Sequence, residues 1–139
     1  MYARADQMVA AMRELLDAHE AGRSEMDRAD GLLRFGIDHL EAGGDFTSTV
    51  DALPSVSQRQ DMNDAFKRII DARHELRLQI LGVCLDQEMK PREIGERWGV
   101  SRQRVAKYMV ELKERRAAED EVDVVVEPYV HVSTIRLPG

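Results

Sequence analysis

Eight side chains between Arg92 and Lys107 have the chemistry needed to hold a polyanion and read its surface. Arg92, Arg97, Arg102 and Arg104 are guanidinium forks that can grip two phosphate oxygens at once, and Lys107 is a compact ammonium charge. Ser101 adds a hydroxyl, Gln103 an amide that both donates and accepts, and Ala106 only a methyl. On a duplex, arginine or lysine meets guanine acceptors, glutamine pairs with adenine, and a small apolar group lies against the thymine methyl. Against such a surface Gln103, Arg102, Lys107 and Ala106 have the chemistry for base edges, and Ser101, Arg104, Arg92 and Arg97 that for phosphates. Arginines on an exposed helix can also serve solubility alone, and what sets this group apart is its clustering on and around one helical face.

Two short elements must position that face. In PREIGERWGVSRQRVAKYMV, residues 91–110, Ile94 and Trp98 lie four apart on a short helix with the small Gly95 beside them. Gly99 stands where a chain leaving a helix takes positive φ at little steric cost, and Val100 points back into the angle between two helices. Ser101 is placed as an N-cap, whereas Lys90 before Pro91 is a poor one. The second helix repeats Val105, Tyr108, Met109 and Leu112 toward a core. At about 100° per residue this turns Gln103, Lys107, Val110 and Glu114 directly outward, with Arg102 and Arg104 on the flanks.

These residues closely resemble the helix-turn-helix family of DNA-binding proteins. Gly95, Gly99, Ile94, Trp98, Val100, Val105 and Tyr108 occupy the positions where that family wants a small residue, a turn glycine and apolar anchors. GVSRQRVAKYMVEL is most similar to bacterial regulators and to the promoter-reading fourth region of sigma factors. The resemblance covers about twenty residues and implies a trihelical domain whose helix 101–116 enters the major groove of double-stranded DNA. The same spacing is also compatible with a small trihelical core that touches no nucleic acid.

Charge is distributed in a way that favours the DNA reading. The chain is acidic, with formal net charge −6 and 33% charged residues. Residues 90–116 nevertheless carry 9 basic and 4 acidic side chains, against 8 and 14 in residues 1–72. A confined positive patch on an acidic chain suits specific binding rather than indiscriminate coating of nucleic acid.

The remaining pattern is expected to be mainly α, with N-terminal helices, the trihelical helix-turn-helix domain and a short C-terminal β segment. The boundaries are drawn at 1–54, 55–119 and 120–139. Apolar periodicity predicts a helix from Tyr2 to Ala21 stopped by Gly22, and a second helix capped by Ser24 and stopped at Gly43 and Gly44. Residues 45–54 read as a loop. A long helix follows from Ser55 or Ser57, with a break near Arg73. Its last turns carry two apolar stripes, Leu76–Ile80–Val83–Cys84 and Leu78–Leu81–Leu85, so more than one side needs cover. Residues 1–54 are therefore expected to serve dimerisation, with completion of a monomeric core as the alternative. Val122 to Ile135, rich in valine, read as extended structure or as a tail.

Several function classes find no support. His19, His39, His74 and His131 have no ligand spacing to one another or to Cys84, and neither a phosphate loop nor a nucleophile motif is present, so no enzyme, metal or cofactor is expected. The single cysteine, Cys84, reads as a buried hydrophobe. No apolar run reaches the ~20 residues of a membrane span. The expectation is a cytoplasmic, homodimeric, DNA-binding repressor. The alternatives are an adaptor that meets a protein of the transcription machinery through its acidic N-terminal helices, and a sensor with a pocket walled by Met8, Met12, Met26 and Met62.

Overall fold

The computed structural model describes the backbone of residues 1–136 and the side chains of residues 1–121. Five helices follow in order: α1 (Ala5–Glu41), α2 (Phe46–Ala52), α3 (Val56–Asp86), α4 (Pro91–Trp98) and α5 (Arg102–Arg136). No helix among the described residues is long and apolar enough to cross a membrane. The chain divides into two compact units, Asp6–Arg77 and Met1–Ala5 joined to the chain from Leu78 onward. That division falls inside α3, not at residues 54 and 119 where the composition changes.

In the first unit α1 and α3 run antiparallel, with Glu14 bonded to Arg68 and Gly22 against Ile69. The contact line is built from small residues: Ala11, Ala18 and Gly22 on α1, with Ala65 and Ala72 on α3, are all buried, while the buried Gly36 of α1 lies against Thr49 and Leu53. Gly22 does not end a helix, as its type suggests, because α1 passes straight through it. A Cβ there would lie 2.9 Å from the Ile69 Cδ1, so the missing methyl lets the helices close up. Tight packing outweighs the roughly 1 kcal/mol that glycine costs in a helix interior.

The helix does stop at the glycine pair. Gly43 takes φ 88°, and the Gly43 and Gly44 amides donate back to the carbonyls of Leu40 and His39 at 3.0 and 2.8 Å. Residues 45–54, expected as a loop, contain α2 instead. Asp45 caps it by accepting from the Ser48 amide at 2.8 Å, and Thr49 is buried with its hydroxyl donating to the Asp45 carbonyl at 2.8 Å. One good cap and one anchored side chain suffice for two turns whose apolar period is too short to read. Nor is α3 broken at Arg73, an exposed residue of high helix propensity.

The second unit gathers the end of α3 with α4 and α5 around one core. Leu81, Cys84, Ile94, Val105 and Leu112 are buried together, with Tyr2, Ile80, Leu85, Met89, Val100, Tyr108 and Met109 packed on them. Each fully buried aliphatic side chain here contributes about 1.5–3 kcal/mol. The turn from α3 to α4 is made by Glu88, which adopts the left-handed region at φ 60°. Its amide donates to Leu85 and that of Met89 to Cys84, both at 3.0 Å, the paired closure of a Schellman motif.

The C-terminal β segment is not formed. The described residues contain no strand, and α5 continues through 122–135 to Arg136. A strand must find a partner for its amides and carbonyls, whereas a helix already nucleated at Arg102 gains one internal bond with each added residue but Pro128, which has no amide hydrogen to give. Valine's helix penalty of a few tenths of a kcal/mol per residue is too small to reverse that balance.

Candidate nucleic-acid interface

The geometry of the α4–α5 corner follows from four consecutive features of its sequence. Pro91 opens α4, where a missing amide hydrogen costs nothing, and Lys90 supplies no side-chain cap. Ile94 and Gly95 face inward and are buried. Gly99 then takes φ 66°, ψ 32°, and the amides of Gly99 and Val100 both turn back to the Gly95 carbonyl, the latter at 3.0 Å. Gly95 is sterically required, because a Cβ on it would lie 2.5 Å from the Val100 carbonyl oxygen. Ser101 starts α5 by accepting from the Arg104 amide at 3.2 Å, the expected capping bond.

With the corner set, α5 divides into two faces. Val105 and Leu112 are buried, and Tyr108 and Met109 half-buried, on the side toward α4 and α3. Gln103, Lys107, Val110 and Glu114 are exposed on the other. All eight residues picked out by their chemistry are exposed: Arg92 and Arg97 on α4, Ser101 at the cap, and Arg102, Gln103, Arg104, Ala106 and Lys107 along the first turns of α5. Burial of Val105 fixes the rotation of α5, so these side chains stand on a rigid element rather than on a loop.

No family model, curated protein or solved structure matches this chain.

The positive charge of the region is not all available at the surface. Arg92 pairs with Glu96 at 3.2 Å, an exposed i,i+4 contact that water and salt weaken. Arg115 lies 3.6 Å from Glu111. Arg102, Arg104 and Lys107 form no ion pair among the described residues. Trp98 departs from expectation. Placed in the core by its spacing from Ile94, it is instead 49% exposed, with the Arg97 guanidinium 5.9 Å from its ring centroid. The indole lies beside a cation that its π face attracts.

Arg116 is the residue that charge counting misplaced. It is buried, with Nε donating to the Tyr2 carbonyl at 3.0 Å, Nη1 to both Glu119 oxygens at 3.1 and 3.0 Å, and Nη2 to the buried Gln79 at 3.2 Å. Its spacing offered a signal, since position 116 continues the Val105–Leu112 stripe by one turn. Across from it, the amides of Tyr2 and Ala3 donate to the two Asp86 oxygens at 2.7 Å each. Those two bonds hold the Asp86 carboxyl below the ordinary carboxylate range. Gly82 makes room for the same segment, its hydrogen facing the Tyr2 carbonyl oxygen where a Cβ would approach to 3.1 Å.

Among the described residues no group of His, Cys, Asp and Glu is arranged to hold a metal ion. Of the methionines considered as pocket walls, Met12 and Met26 are exposed, while Met62 lines a cleft of about 330 Å³ with Leu32, Leu53 and the charged Glu25 and Arg28.

Proposed function

We propose that this protein is a sequence-specific DNA-binding regulator that reads the major groove with the first turns of α5, as a helix-turn-helix protein does. The observation that carries the reading is the row Arg102, Gln103, Arg104 and Lys107. These residues are exposed and free of ion pairs among the described residues, on a helix whose opposite side is locked by Val105 and Leu112. A reader helix needs freely available donors at its N-terminal end and a rigid back, and both are present. The Gly95–Val100 contact supports the same reading, since it holds α4 close to the start of α5 so that the latter stands clear. In this arrangement Gln103, Lys107, Arg102 and Ala106 meet base edges, while Ser101, Arg104, Arg92 and Arg97 hold phosphates.

The test is a mobility-shift titration on DNA from upstream of the protein's own coding region, repeated at several salt concentrations. Gln103→Ala and Lys107→Ala are expected to weaken specific binding by about 1–3 kcal/mol each and to relax sequence preference. Arg104→Ala is expected to weaken binding to every sequence and to lower the salt slope by about 1. Unchanged affinity in all three variants would refute the assignment. A second reading, an adaptor that binds a component of the transcription machinery through α1, rests on the apolar side chains that α1 exposes. Co-purification with RNA polymerase and no DNA shift would favour it.

A further inference from the structure

We propose that the cleft between α1, the α2–α3 turn and the start of α3 binds a small carboxylate with an apolar body. Its volume of about 330 Å³ falls at the lower end of the ~300–1,000 Å³ of small-molecule sites. Ala29 and Leu32 of α1, Leu53 and Pro54 of the turn and Met62 of α3 form its apolar wall. Each of these is half-buried, so a ligand seated there takes further apolar surface out of water. Met62 adds an unbranched, polarizable thioether that adjusts to the shape of what it touches.

The polar groups that line the cleft select the head group. Glu25 is already engaged, its two oxygens each accepting from Arg28 Nη1 at 3.2 Å, so this pair brings no net charge. Gln58 is held by a reciprocal cap. The Ser55 amide donates to its Oε1 at 3.0 Å, and its own amide donates to the Ser55 hydroxyl at 3.2 Å. With the oxygen so occupied, the Gln58 side-chain NH₂ is a donor without a partner among the described residues. Arg59 forms no ion pair among the described residues either. Both stand in the first turn of α3, where the helix dipole also favours negative charge.

What is open to a ligand is therefore one amide donor and one uncompensated guanidinium, and the only carboxylate of the lining is taken by Arg28. A carboxylate matches this set by accepting from Arg59 and Gln58, while its apolar body lies against Leu32, Leu53 and Met62. An amine of the same shape would bring a second positive charge beside Arg59, and an alcohol would leave the guanidinium uncompensated. The cleft lies wholly within Asp6–Arg77, whereas Arg102 and Lys107 belong to the other unit, so ligand binding and DNA reading are tested separately.

The test is a titration of the isotope-labelled full chain with 3-phenylpropionate at neutral pH, followed by amide NMR shifts. One saturable site is expected, with a dissociation constant of about 1 mM or below and the largest shifts at Leu53, Gln58, Arg59 and Met62. The matching amine, 3-phenylpropylamine, should not bind there. Arg59→Ala should raise the dissociation constant about tenfold or more with helical circular dichroism unchanged, since the side chain is exposed, and Arg59→Lys should recover part of the loss. Lys67→Ala, in the separate charged cleft with Glu14 and Arg68, should leave binding as it was. No saturation of the wild-type chain by about 10 mM would overturn the proposal. Binding that survives Arg59→Ala within twofold, or equal binding of the amine, would overturn it as well.

Discussion

Replacing Gly95 by alanine tests whether the α4–α5 corner is as close as described. The new Cβ would meet the Val100 carbonyl oxygen at 2.5 Å, about 0.9 Å inside the 3.4 Å at which ordinary contact begins. Relief by movement is resisted on both sides. Val100 is packed on the core and its amide is bonded to Gly95 itself, while Gly99 is committed to its left-handed conformation. Overpacking of this kind costs about 1–3 kcal/mol beyond what is recovered by relaxation. Alanine's helix preference returns up to ~1 kcal/mol, so a net loss of about 1–2 kcal/mol is expected. Gly31→Ala provides the control, because Gly31 lies inside α1 with nothing within 4 Å of its would-be Cβ. There the same substitution should stabilise by roughly 0.5–1 kcal/mol. Urea unfolding read by Trp98 fluorescence reports the first variant and circular dichroism the second. Two stabilised variants, or two indifferent ones, would refute the close approach. Gly95→Ala should also weaken DNA binding without touching any reader side chain, because the start of α5 must shift.

Two further substitutions carry expected signs. Glu88→Gly relieves a left-handed residue that costs about 1–2 kcal/mol, against ~0.4–1 kcal/mol of added unfolded-chain entropy, so thermal unfolding should show a gain of up to about 1.6 kcal/mol. Asp86 has its folded pKa lowered by the Tyr2 and Ala3 amides, so its contribution is full above the unfolded value near 3.9 and is lost as pH falls through the folded value below it. Asp86→Asn should therefore be less stable than wild type at neutral pH, and the difference should shrink on acidification below about pH 4. A gap that stays constant with pH would mean that the carboxylate charge is not what holds Tyr2 and Ala3.

The α4–α5 corner was legible in the sequence because each of its steps depends on residue type within a few positions. Gly99 needs its φ, Ser101 caps three residues ahead, and Val105 and Leu112 repeat at one period. What was illegible depended on partners far along the chain. Gly22 looks like a terminator until Ile69, forty-odd residues later, is seen against it. Trp98, four residues after the buried Ile94, looked like core and is half exposed instead. Arg116 counted as surface charge although its three acceptors are Tyr2, Gln79 and Glu119, two of which no local pattern could reach. The valines after Glu121 show the converse error, in which β propensity was taken at face value where no strand was at hand to pair with.

The bonds from Arg116 and Asp86 to residues 2 and 3 also impose an order on the chain's assembly. Tyr2 leaves the ribosome 114 residues ahead of Arg116, and at about 5–20 residues per second it waits roughly 6–23 s for that partner. The helical hairpin between them can close first, since all of Asp6–Arg77 has by then been made. Until α5 emerges, Ile94, Leu81 and Cys84 lack the cover of Val105 and Leu112. The growing chain thus exposes the apolar bed of its α4–α5 unit for longest, in the interval when contact with a chaperone would matter most.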